Sequence, residues 1–221
     1  MLIIIMTDGS VIIIMGKKKR QKLTADKRKE QIFISAIKCF TNKGYAQTTV
    51  DEIAETAGIA KGTIYLYFKD KQDLFLGLYR EWMERTIKNM DKVLGSDLSA
   101  GEKIKNLGQL VIDDLNSGEI RLRTILELYI HAFDDFKSFL LAKEVYREIS
   151  ARVEKILREG VEKGEFRKEL DIFSLTLLIC NNLDMIDLVR FLSPYPIDLE
   201  RHWEEVFQVL MNGILISSKR S

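Results

Sequence analysis

Proline is almost missing from this chain of 221 residues. The two present stand at 194 and 196, so nothing covalent interrupts a helix anywhere upstream. Cysteine and histidine are as scarce. Cys39, Cys180, His131 and His202 lie far apart, and no zinc-ligand spacing can be assembled from them. The two thiols read as small apolar packing groups in a cytoplasmic protein, with a redox sensor as the alternative. There is no Gly-rich phosphate loop and no nucleophile motif. The acidic pairs Asp113-Asp114 and Asp134-Asp135 are adjacent, so they point apart on a helix and read as solvated surface. No enzyme, metal or cofactor is expected.

Long apolar runs are lacking too. Residues 2–6 and 11–15 are aliphatic and β-branched, but each run is too short to span a bilayer and no basic region precedes them. Neither a signal peptide nor a membrane partner fits. The Asp8-Gly9 pair between the runs is a hairpin signal, although an isolated hairpin is marginal. We read residues 1–15 as lying upstream of the natural start, which Met15 or a nearby codon would supply. Residues 1–20 are then a tail whose last part, Lys17 to Arg20, is a basic arm.

What remains is helical pattern without repeats. A first helix is expected from Asp26 to Lys43, with Phe33, Ala36, Ile37 and Phe40 as its stripe and Gly44 as its stop. Long helices follow at 71–94, 99–116, 136–163, 171–192 and 198–217. A shorter one passes through Leu122, Ile125, Leu126, Tyr129 and Phe133. The fold class is all-α, about nine helices. The net charge of +1 hides an asymmetry. From Lys17 to Lys71 there are 13 Lys+Arg against 6 Asp+Glu, a net +7, while the rest of the chain carries −6. A basic head on an acidic body is what attraction to phosphates by one end requires.

Within the basic half, Thr49-Val50-Asp51-Glu52 is a capping box. Val50, Ile53, Ala54 and Ala57 then form one apolar stripe, and Gly58 supplies a left-handed stop. A second short helix opens at Ala60-Lys61, with Ile64 and Phe68 on its buried side. Its exposed side carries Lys61, Gly62, Thr63, Tyr65 and Tyr67. Lysine offers charge to phosphate and tyrosine a phenol. Glycine permits close approach, and threonine can touch a base edge or a thymine methyl. This is the layout of a helix-turn-helix reader of double-stranded DNA. So short a helix reaches four or five base pairs, roughly half of a unique site, and a dimer is therefore required.

The segments IFISAIKCFTNKGYAQTTVDEIAETAG and GIAKGTIYLYFKDKQDLF resemble the TetR family of regulators over about residues 27 to 80. The resemblance implies a DNA-binding domain at 21–71 and a ligand-binding and dimerisation domain at 72–221. It implies that Lys61, Gly62, Thr63, Tyr65 and Tyr67 face DNA and that Thr49 and Lys71 touch phosphates. Many members have serine where this chain has Ala60, so one polar contact is missing here.

The last two helices are apolar over much of their circumference and must be covered. The resemblance implies a four-helix homodimer interface there, assigned to Leu175, Ile179, Ile186, Val189, Trp203, Phe207 and Leu210. For the effector, Trp82, Tyr129, Phe133, Tyr146, Asn182 and Met185 are the candidates. Aromatics at this spacing also serve as plain core. Asn181, Asn182 and Asp184 are open to three readings: ligand contact, dimer seam or polar edge. The expected function is a repressor released from a palindromic operator by a small, apolar effector. The alternative is a DNA-bound structural or interaction protein on the same scaffold, without an effector.

Overall fold

The computed structural model describes residues 2–7, 10–15, 24–117, 130–131, 133 and 135–215. Strands β1 (Leu2–Thr7) and β2 (Ser10–Met15) pair antiparallel, Leu2 opposite Met15 and Thr7 opposite Ser10. That register leaves two residues for the turn, as the Asp-Gly signal requires. The remaining described elements are helices: α1 (Ala25–Lys43), α2 (Val50–Ala57), α3 (Lys61–Tyr65), α4 (Lys71–Leu94), α5 (Ala100–Ser117), α6 (Phe136–Glu162), α7 (Ile172–Leu192) and α8 (Leu199–Ile214). Most of the helix expected through Leu122 and Tyr129 lies outside the described residues. No helix among the described residues is long and apolar enough to cross a membrane.

The helix starts are chemical. Thr24, Thr49, Asp70, Asp135, Asp171 and Asp198 each accept a hydrogen bond from a backbone N–H three residues on. These bonds satisfy amides that the helix itself leaves open. At α2 the capping box closes fully: the Thr49 N–H donates to Glu52 Oε2 at 2.9 Å while the Glu52 N–H donates to Thr49 Oγ1 at 3.2 Å. Ser99 and Glu102 repeat the arrangement at α5. Gly164, at φ 73°, turns the chain after α6 so that Phe166 can fold back into the core.

Two apolar clusters result. One gathers Phe33, Phe40, Ile53, Ile64, Phe68, Leu74, Phe75 and Tyr79 around α1–α4, and takes in Leu141 and Val145 from the start of α6. The other joins Met90, Ile104, Ile112, Ile156, Phe166, Ile179, Trp203 and Ile214. In the second, Trp203 wedges α8 against α5. Its Nε1–H donates to the Lys105 carbonyl at 3.0 Å, and its ring lies where a side chain on Gly108 would be. Lys103 of α5 is also buried, with its ammonium 3.0 Å from Glu159 of α6.

Two outcomes follow. A Cβ on Gly108 would lie 1.9 Å from the Trp203 ring. Gly108→Ala should therefore cost about 1–3 kcal/mol or more in urea unfolding; unchanged stability would mean α5 and α8 are not in this contact. The second concerns acid. Hydrogen bonds from Lys43 and then from the Thr49 amide hold the Glu52 carboxyl below its usual range. The Ser99 hydroxyl and amide do the same for Glu102. Because the folded-state values are depressed, this stabilisation is present above the ordinary carboxylate range and is lost as pH falls through the depressed one. The melting temperature should fall on going from neutral pH to about pH 3.5. A Glu52→Gln, Glu102→Gln double variant should show a flatter pH dependence; an identical one would exclude these two groups as its source.

Candidate nucleic-acid interface and effector body

The reader is assembled by short-range forces. Gly58, at φ 64° and ψ 34°, ends α2 in the left-handed conformation, and the Ile59 N–H reaches back to the Ala54 carbonyl at 3.0 Å. Ile64 and Phe68 sink into the first cluster and set the rotation of α3. Gln31 ties α1 to the end of α2 by donating to the Ala57 carbonyl at 2.6 Å. Lys61, Gly62 and Tyr65 are thereby left exposed, with Thr63 and Tyr67 half-buried at the flanks. Four of these five expected DNA-facing residues share α3, and Tyr67 follows in the turn after it. Ala60 begins α3 with no side-chain cap.

Gly62 is informative. A Cβ there would meet nothing within 4 Å, and its backbone is not left-handed. Nothing in the described fold requires glycine, which is less favourable than alanine in a helix by about 0.5–1 kcal/mol. The position is open, with room for another surface to approach the α3 backbone closely. Lys61 is held by Asp51 of α2 at 2.7 Å, an exposed pair, and its ammonium is held above the usual lysine range by that hydrogen bond. An exposed pair of this kind exchanges readily for a phosphate.

Two expected phosphate contacts stand differently. The Thr49 hydroxyl and amide are taken up by the capping box, although the residue is exposed. Lys71 turns inward. Its ammonium donates to the carbonyls of Tyr45 at 2.8 Å and Thr48 at 2.9 Å, and lies 4.3 Å from the centre of the Tyr45 ring. The lysine holds the loop before α2 in place. Sequence spacing gave no sign of this, because the carbonyls belong to a loop 23 to 26 residues upstream.

The body corrects several expectations. Ile179 is 1% exposed and Trp203 2%, and Ile186 and Leu210 are also buried inside the chain. They form its own core and are closed to a second copy. Leu175 and Phe207 are half-buried against that core. Of the seven interface residues, Val189 stays outward, at 51% exposure. It belongs to an exposed stripe on α7 with Leu178, Met185 and Leu192, near helical spacing. On α8, Val209 is exposed. The reason for the misassignment is that α7 is apolar all round. Periodicity selects an inward face only when the other face is polar.

The effector candidates differ in exposure. Met185 lies on the outward stripe, and Phe133 is almost fully exposed. Tyr129 lies outside the described residues. Trp82 is half-buried and donates from Nε1 to Asp114 at 2.9 Å, which Arg85 also approaches at 3.5 Å. Tyr146 packs against the second cluster. Asn182 is a polar anomaly of the body: among the described residues its Oδ1, like Thr41 Oγ1 in the head, is buried without a hydrogen-bond partner.

Residues 32–78 match the family model for bacterial regulatory proteins of the tetR family. Across most of its length the chain is similar to the fatty acid metabolism regulator protein of Bacillus subtilis strain 168. The two are 29% identical over 201 residues, covering 90% of this chain and 98% of the relative. Among solved structures, the fatty acid degradation regulator FadR of Bacillus halodurans is similar at 27% identity and a TM-score of 0.71, over 86% of this chain and 97% of that one. FadR of Bacillus subtilis, solved in complex with stearoyl-CoA, matches at 25% identity and a TM-score of 0.71, over 84% and 98%.

The free Gly62 position separates stability from recognition. Gly62→Ala should raise the melting temperature slightly, or leave it unchanged, while weakening DNA binding at least tenfold in a gel-shift or anisotropy titration. Undiminished DNA binding would mean that nothing approaches α3 at this residue.

Proposed function

We propose that this chain, a TetR-family transcriptional regulator in its fold, its head and its relatives, is a dimeric cytoplasmic repressor whose effector is a long-chain acyl-CoA. The observation that carries the reading is the reach of the likeness. The family model covers the DNA head, but the fatty acid regulator of Bacillus subtilis is similar through the body as well. The body is where an effector would be distinguished. An acyl tail suits a body built on a large apolar cluster. The buried Asn182 oxygen is an acceptor for a ligand N–H, such as an amide of the pantetheine arm.

In this reading residues 21–71 read a palindromic operator and residues 72–221 bind effector and partner copy. Lys61 passes from Asp51 to a phosphate, and Gly62, Thr63, Tyr65 and Tyr67 meet the major groove. The second copy covers the outward stripe of Leu178, Met185, Val189 and Leu192 on α7, together with Val209 on α8. Two clamps of one helix each then stand at half-site separation. Acyl-CoA favours a body arrangement with a different head separation, and DNA affinity falls by the difference in effector affinity between the two states, about 1–3 kcal/mol in typical couplings.

DNA upstream of the chain's own gene, titrated against competitor DNA across a salt series, provides the assay. Stearoyl-CoA should weaken specific binding by about 5- to 150-fold, whereas coenzyme A and free stearate should not. Equal effects of all three, or none, would remove the acyl-CoA assignment. Val189→Glu should sediment as a monomer at micromolar concentration and lose the operator; a stable dimer would place the interface elsewhere.

A further inference from the structure

Leu66 has no part in the assignments above. It stands at the end of α3 with helical backbone angles, φ −71° and ψ −20°, and the Phe68 N–H still bonds to the Ile64 carbonyl at 3.0 Å. The helical turn therefore runs through it. At about 100° per residue, Leu66 points about 160° away from both Ile64 and Phe68, the two residues that anchor this helix in the core. The opposite direction is outward, and Leu66 is 81% exposed, far more than Tyr65 beside it at 48%. One turn earlier on the same line is Gly62, the position left open for a close neighbour.

A leucine at the centre of a reading face has no donor or acceptor. It cannot discriminate among bases by hydrogen bonding and adds nothing to phosphate attraction. In the major groove, one feature matches it: the C5-methyl of thymine, the apolar point in an otherwise polar pattern. Water released between a leucine and a methyl favours contact by the ordinary hydrophobic effect. We infer that Leu66 is a specificity-determining residue of the DNA head, reading a thymine methyl in each operator half-site, with Gly62 clearing the space above it. The inference rests on the DNA-binding reading. It extends the existing interface along α3 without a new surface, and it adds an apolar discriminator to a set that is otherwise polar or aromatic.

The test uses the full-length wild-type chain. A duplex site is first selected from random-sequence DNA, then resynthesised with deoxyuridine replacing thymidine at one symmetric pair of positions at a time. Deoxyuridine keeps every hydrogen bond and removes the methyl. Wild type should lose about fourfold per methyl, the value of one buried methylene-sized group, at one symmetric pair and thus about sixteenfold for the duplex. Leu66→Ala should show a comparable loss on the thymidine duplex and no response to deoxyuridine at that pair. Its salt slope should equal that of wild type, since no phosphate contact is removed. Circular dichroism on Leu66→Ala should show an unchanged melting temperature. Wild-type indifference to deoxyuridine at every position overturns the inference, as does a Leu66→Ala chain that keeps the wild-type methyl response. Failure of wild type to enrich any sequence would instead overturn the DNA-reading assignment beneath it.

Discussion

Helix α4 has its first half set in one apolar cluster and its second half in another. Leu74, Phe75, Leu78 and Tyr79 pack with the reader helices, while Ile87, Met90, Val93 and Leu94 pack with the body. Helix α6 does the same in the same order along the chain: Leu141 and Val145 sit in the first cluster, and Val153, Ile156 and Leu157 in the second. Two continuous helices thus join the clusters side by side. A packed core is bistable rather than continuously soft, so a shift of α6 against α4 in the body cannot be absorbed locally. It has to reappear in the head.

The loop that precedes the reader is held at the same junction. Tyr45 stacks on Phe40 and Phe75, takes the Lys71 ammonium over its ring, and meets His131 from the body edge-on at 4.7 Å. Lys71, the first residue of α4, ties the loop carbonyls to that helix. The position of Thr49, and so of the whole capped α2–α3 unit, is referred to α4 and to a body segment at once.

Legibility in the sequence followed the range of the interactions. The capping boxes at Thr49 and Ser99, the Gly58 stop and the helix limits near 71, 94, 136 and 192 are local, and each was readable from a few neighbouring residues. The exposed side of the α3 region was readable because Ile64 and Phe68 define its opposite. The α7 assignments failed for a different reason. With Ile179 and Ile186 on one side and Leu178, Met185 and Val189 on the other, the helix offers no polar face to orient it, and the choice is made by α5, α6 and α8. Lys71 was illegible because its partners are backbone carbonyls, which carry no sequence signature. Leu66 was passed over because an aliphatic residue at a helix end reads as core until its exposure is known.

The chain has two tryptophans, and the fold puts them in contrasting settings. Trp203 is sealed between α5 and α8, its indole nitrogen satisfied by a backbone carbonyl. Trp82 sits on α4 where that helix passes between the clusters, half-buried, its nitrogen bonded to the Asp114 carboxylate on α5. One ring therefore belongs to a fixed wedge and the other to the helix that links head and body. In emission, the first is an internal standard and the second a reporter of local polarity. Motion of the connecting helix is thereby open to observation without a label.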